Sequence, residues 1–171
     1  YVPVPQPEPK AIEAAAELIN NAKKPYIVYG QGVILGGAEE ELKALVEKAG
    51  IPAAWTILGL SAMDSSHPLN VGMVGMHGNY GPNVLTNECD VLIAIGMRFD
   101  DRVTGSLDTY AKQAKIIHFE IDPSEVNKNV AVDVAVLGDA KETLSLLLPK
   151  IQKNSHTAWR KEFDLKYEEE Y

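Results

Sequence analysis

Apolar positions recur at helical spacing near the start of the chain. Ile12, Ala15, Ala16 and Ile19 share one face up to Ala22, and Pro9 stands where a first helical residue tolerates proline. The period then changes. Pro25-Tyr-Ile-Val-Tyr29 is a short continuous apolar run, the pattern of a strand buried on both faces. It runs into Gly30-Gln-Gly32 and Gly36-Gly37, read as a glycine loop, and then into a helix. Leu42, Leu45, Val46 and Ala49 form the apolar face of that helix, and Gly50 ends it. Pro52-Ala-Ala-Trp-Thr56 reads as a second strand, and strand–helix–strand units of this kind close right-handed. Residues 57–81 show no strong periodicity. Structureless stretches of this length inside a domain are usually functional or disordered, and Leu58, Leu60, Met73, Val74 and Met76 argue against disorder. A short helix is expected over 82–88. Asp90-Val-Leu-Ile-Ala-Ile95 is a third buried strand. A weak helix is expected around 106–111, a strand over 115–121, and a helix start at Asp122-Pro-Ser-Glu125. The last strand is expected over 132–137, ending at Gly138-Asp139. A closing helix carries Leu144, Leu147, Leu148 and Ile151 on one face.

Strands alternating with helices predict an α/β fold: a doubly wound parallel sheet, Rossmann-like and three-layer α/β/α, of five to six strands. There is no internal repeat and no low-complexity tract. Residues 1–9 are proline-rich and read as an incoming linker, 10–153 as the domain, and 154–171, polar and charged, as a solvated outgoing helix or linker. The first residues match neither a signal peptide nor a start-methionine context, so the chain is expected to be a piece of a longer one.

Composition narrows the partners. The chain has 171 residues, enough for one domain with a core, and a net charge of −8. With no basic run, nucleic acid is not an expected partner. No apolar stretch is long enough to span a bilayer, so no membrane partner is expected either. A single cysteine, Cys89, excludes an internal disulfide framework and fits a reducing, cytoplasmic compartment. It is expected as a small, half-buried residue at a helix–strand junction.

The chemistry gathers where strands end. Residues 96–105, Gly-Met-Arg-Phe-Asp-Asp-Arg-Val-Thr-Gly, follow the 90–95 strand and set Arg98 and Arg102 among Asp100 and Asp101. Open α/β sheets bind ligands at their carboxyl edge, and a guanidinium fork suits a pyrophosphate. A surface salt-bridge turn explains the same residues. Gly30-x-Gly32-x-x-x-Gly36 lets backbone approach a diphosphate before a helix, although such glycines also serve plain turns. Trp55-Thr56 stands where an NAD site wants an acid, which counts against an ordinary NAD dehydrogenase. Gly30, Thr56, Gly96 with Arg98, Glu120 with Asp122, and Gly138-Asp139 form a row of strand ends. Only a dinucleotide is long enough to touch them all. Glu120 suits ribose hydroxyls; Asp139 suits an adenine amine or, taken singly, a helix cap. His77 sits between glycines as a candidate base or a plain hydrogen-bonding group. His67, His77, His118 and His156 have no ligand spacing, so zinc is not expected.

Five motifs read together carry a resemblance. They are Gly-Gln-Gly at 30–32, Trp-Thr-Ile-Leu-Gly-Leu at 55–60, Met-Val-Gly-Met-His-Gly at 73–78, the 96–105 run, and Phe-Glu-Ile-Asp-Pro at 119–123. In this order they resemble the central domain of acetolactate synthase, also called acetohydroxyacid synthase, a thiamine-diphosphate enzyme. The resemblance covers roughly the whole chain, and the 98–105 run is its most specific part. It implies a parent that condenses pyruvate with a second 2-oxo acid at the head of branched-chain amino-acid synthesis. It implies flanking domains holding thiamine diphosphate, magnesium and an activating glutamate, and a parent homodimer or tetramer with a possible regulatory subunit. The central domain is implied to bind FAD structurally. By matching motifs the FAD contacts would be Gly30, Gln31, Gly32, Thr56, Ile57, Val74, Gly75, Met76, His77 and Gly78. They continue with Gly96, Met97, Arg98, Phe99, Asp100, Glu120, Ile121, Asp139 and Ala140. Met76, Asp101 and Arg102 would line active-site access and contact inhibitors. No catalytic residue and no metal ligand is implied in this chain, which alone is expected to be inactive. Asn79 and Pro82 depart from the family's threonine and alanine, and Pro82 has no amide to donate. Glu120 replaces a commoner aspartate. Two other readings remain: the same domain of a related thiamine-diphosphate oxidase or carboligase, and a free-standing, non-catalytic nucleotide-binding module.

Overall fold

The computed structural model describes residues 7–55, 70–73, 89–96, 114–121, 132–154, 156 and 159. Among them are six strands: β1 Pro25–Tyr29, β2 Ala53–Trp55, β3 Asn70–Met73, β4 Val91–Ile95, β5 Lys115–Glu120 and β6 Val134–Leu137. They form one sheet in the order β3-β2-β1-β4-β5-β6, every neighbouring pair parallel. The order reverses between β1 and β4, so the sheet is doubly wound. The described helices are α1 Pro9–Asn21, α2 Gln31–Leu35, α3 Glu39–Ala49 and α4 Ala140–Leu147, which tightens into a 3₁₀ turn at Leu148–Lys150.

Side chains alternate between the two faces of a strand, and the core divides accordingly. On one face Ile27, Tyr29, Ile93, Ile95, Ile117 and Phe119 pack with Ile12 and Ile19 of α1, Leu42 and Leu45 of α3, and Leu144 and Leu147 of α4. On the other, Tyr26, Val28, Ala54, Leu92, Ala94 and Ile116 are buried with Cys89 and Trp159. Burial on both faces is why β1 and β4 are apolar at every position and cannot alternate. It is also what the three-layer, Rossmann-like plan requires.

Local chemistry sets the helix ends. Pro9 occupies the first turn of α1, where its missing N–H costs nothing. Helix α3 opens on Glu39, Glu40 and Glu41 and carries Lys48 in its last turn, both favourable to the helix dipole. Gly50 then stops it in the left-handed region at φ 63°. Asp139 caps α4 by accepting from the Glu142 amide at 3.3 Å, the role its position taken singly suggested.

Several expectations need correction. β3 lies within 57–81, where no strand was expected. Its Asn-Val-Gly-Met sequence has no apolar run, and it pairs with β2 through a register shift at Ala53/Ala54. The glycine loop after β1 contains a short helix, α2. The last strand begins at Val134, not at 132; just before it, Asp133 N–H donates to the Ile116 carbonyl at 2.9 Å while its carboxylate accepts from the Ile116 amide at 2.7 Å. Cys89 is fully buried, not half-buried, and burial with the neighbouring Asp90 charge pushes its thiol up to about 12. The segment after 153, expected to be solvated, holds a buried tryptophan: Trp159 Nε1–H donates to the Pro25 carbonyl at 2.6 Å. The helices expected over 82–88, near 106–111 and from 122 lie outside the described residues.

Candidate functional site

The carboxyl ends of β1, β4, β5 and β6 meet along one edge, and backbone bonds stitch their exits together. Gly30 N–H donates to the Ile95 carbonyl at 3.0 Å and Gly32 N–H to that of Gly96 at 2.8 Å. Gly96 N–H donates to Phe119 at 3.0 Å, and Gly138 N–H to Glu120 at 3.1 Å. Gly30, Gly96, Glu120 and Asp139 therefore stand in one row, as the strand order demands. The seam crosses the point where strand order reverses, the usual ligand crevice of an open α/β sheet.

Glycine is required here by contact. A Cβ on Gly32 would lie 2.5 Å from Gly96 Cα, and Gly96 itself is left-handed at φ +61°. The missing side chains let the β1 and β4 exits touch, and the Gly30 and Gly32 amides are engaged within the seam. A Cβ on Gly36 would lie 3.0 Å from Asp139 Oδ1, so the third glycine of the motif makes room for the α4 cap. Gln31 opens α2, and Ala140 is the first residue of α4.

Glu120 is a nearly buried acid of this edge. Its Oε1 accepts from the Ile121 amide at 2.9 Å, and its Oε2 lies 3.6 Å from Nε2 of His118, with the Glu120 side chain only 10% exposed. Ile121 beside it is 46% exposed, one of two large apolar residues so exposed among the described ones. His118 is fully buried on the same face of β5 as Glu120, two residues back. In the sequence this histidine is weighed only in setting zinc aside. The signal that marks it is an acid two positions later on a buried strand.

Thr56, Ile57, Val74, Gly75, Met76, His77 and Gly78 lie outside the described residues, as do Met97, Arg98, Phe99, Asp100, Asp101 and Arg102. Those described, Gly30, Gln31, Gly32, Gly96, Glu120, Ile121, Asp139 and Ala140, are brought to one edge. Their chemistry fits a nucleotide: a held carboxylate for hydroxyls, an exposed apolar side chain for a base, and a floor without side chains at Gly32 and Gly96. Among the described residues no group of His, Cys, Asp and Glu is arranged to hold a metal ion. No described helix is long and apolar enough to cross a membrane.

The opposite edge is built differently. Asp90 accepts from the Lys23 and Lys24 amides at 2.8 and 2.9 Å, closing the turn into β1. Asp133 does the same for the start of β5. These carboxylates are committed to strand starts.

Strand order and edge together define a Rossmann-like α/β domain, a class in which ligands gather at the carboxyl edge. The family is narrower. Residues 12–147 match the model described as thiamine pyrophosphate enzyme, central domain, and the chain belongs to that family. It is 48% identical over 151 residues to a probable acetolactate synthase large subunit of Methanococcus aeolicus, covering 88% of this chain and 25% of the relative. It is 49% identical over 148 residues to a probable acetolactate synthase large subunit of Methanocaldococcus jannaschii, covering 86% and 25%. Against the acetolactate synthase large subunit of Corynebacterium glutamicum it is 49% identical over 148 residues, covering 86% and 24%. The chain thus spans about a quarter of the length of the curated relatives it matches.

Proposed function

We propose that this chain is the central domain of an acetolactate synthase catalytic subunit, and that it binds FAD structurally along the carboxyl edge of the sheet. The shared name of relatives at 48–49% identity supports the first part. The observation that carries the second is the Glu120 carboxylate, held at the end of β5 in line with the glycine seam. On this reading the parent is a cytoplasmic, thiamine-diphosphate- and magnesium-dependent transferase. It joins the two-carbon fragment of pyruvate to a second 2-oxo acid in branched-chain amino-acid biosynthesis. Thiamine diphosphate and magnesium belong to flanking domains of the same parent chain, within a homodimer or tetramer and with a regulatory subunit as a further partner. FAD takes no part in net redox chemistry. The work of this domain is to bind and orient the cofactor with Gly30–Gly32, Gly96–Asp100, Glu120 and Asp139, and to present Met76, Asp101 and Arg102 to the active-site entrance.

The test is calorimetric titration of FAD and ADP into the chain and into Arg98→Ala. A guanidinium on a pyrophosphate contributes about 1.5–3 kcal/mol, so the variant should bind both ligands roughly one to two decades more weakly. ADP should retain more of its affinity than the isoalloxazine half does. Failure of wild type to bind either ligand removes the FAD assignment. Equal affinities in the two proteins would reduce Arg98 to a surface ion pair.

A further inference from the structure

His118 lies in the fully buried part of a parallel strand, flanked along its face by Ile116 and Glu120. An imidazole is costly there unless its polar atoms are used. Its Nε2 stands 3.6 Å from Glu120 Oε2. The backbone on which Glu120 sits is fixed as well: its carbonyl accepts from Gly138 N–H at 3.1 Å, and the preceding carbonyl of Phe119 accepts from Gly96 N–H at 3.0 Å. The carboxylate is therefore met on two sides: the Ile121 amide donates to Oε1, and the buried His118 ring stands beside Oε2. A carboxylate accepts about four hydrogen bonds, so a pair of hydroxyls can be received beside the Ile121 amide and the His118 ring without displacing either.

We propose that His118 is a positioning residue which sets the Glu120 carboxylate in the rotamer that receives the vicinal diol of a ribose. This rests on the reading of the carboxyl edge as a nucleotide site. Recognition of a diol by one carboxylate depends on both oxygens being placed, because each must meet a different hydroxyl. A side chain free to turn about its last bonds would meet one hydroxyl or the other, and would discriminate poorly against a sugar lacking them.

The experiment compares ADP with 2′,3′-dideoxy-ADP by calorimetry on the 171-residue chain. Hydrogen bonds to a charged group make ADP the tighter ligand of wild type by about tenfold or more. Glu120→Gln should lose most of that ratio. His118→Leu should bring it close to one, with little change in affinity for the dideoxy ligand. His118→Gln, whose amide still reaches the carboxylate, should restore it. His118→Asn keeps a polar group of smaller size but falls short of Glu120, so it should behave like His118→Leu and serves if the leucine variant does not fold. Urea unfolding of each variant separates loss of stability from loss of discrimination. A wild-type ratio preserved in folded His118→Leu or His118→Asn overturns the positioning role alone. A wild-type chain that binds neither ligand overturns the nucleotide site and this inference with it.

Discussion

Gly32 and Gly37 separate two reasons for a glycine. At Gly32 a methyl would lie 2.5 Å from Gly96 Cα, against backbone that cannot swing aside. Gly32→Ala should cost about 3 kcal/mol, the upper part of the usual overpacking range. A methyl on Gly37 would meet nothing within 4 Å, and only the φ of +65° there favours glycine. Gly37→Ala should cost about 1 kcal/mol, and urea midpoints of the two variants should rank in that order. Cys89 gives a pH dependence. Burial raises its thiol from 9.0 to about 12, so the folded chain keeps a proton that the unfolded chain releases. The associated stability is complete below pH 9 and is lost as pH climbs from 9 towards 12, at up to about 1.4 kcal/mol per pH unit. Unfolding free energy measured across that range should fall less steeply in Cys89→Ala. A thiol reagent at pH 8 should label Cys89 only once urea has opened the core.

At the level of elements, a carboxylate fixes how β1 begins. Asp90, just before β4, takes two amides of the α1–β1 turn. Asp90→Ala leaves both to solvent and should destabilise by about 2 kcal/mol, while Asp90→Asn, with one accepting oxygen, should recover part of this in chemical denaturation. Elements with a strong period of their own were legible in the sequence: α1, α3, β1 and β4 are apolar where the fold buries them. β3 and α2 were not, because neither is specified by its own residues. β3 is an Asn-Val-Gly-Met segment held by backbone pairing to β2, and α2 is a five-residue helix wedged between the β1 exit and α3. The site divides in the same way. The row of strand ends followed from the alternation of strands with helices, because a parallel sheet puts its strand ends on one edge. That Gly32 would be taken up by Gly96 depends on register between strands, which local sequence does not carry, whereas the closeness of His118 to Glu120 follows from their two-residue spacing on β5.

On the scale of the whole molecule, the chain after α4 closes the amino edge of the sheet. Lys48 Nζ donates to the Leu148 carbonyl at 2.8 Å, Asn20 spans the Lys150 carbonyl and the Gln152 amide, and Asn154 N–H donates to Lys48. The His156 ring lies 2.6 Å from the Ala49 carbonyl and 3.1 Å from that of Ala22, where α3 and α1 end. Trp159 completes the closure on Pro25, with the Lys24 ammonium 5.8 Å from its ring centre. Trp159→Ala should cost about 3–5 kcal/mol and Trp159→Phe about 1 kcal/mol, the latter reporting the indole bond to Pro25; thermal unfolding measures both. The carboxyl edge is closed in another way, by the chain of glycine amides running from Gly30 through Gly96 to Gly138. Its consequence is entropic. Strand exits usually keep freedom that a ligand must remove when it binds, and each backbone residue ordered costs about 1–2 kcal/mol. Among the described residues Gly30, Gly96, Glu120 and Gly138 are already tied to one another, so a ligand touching them meets backbone that has little left to lose.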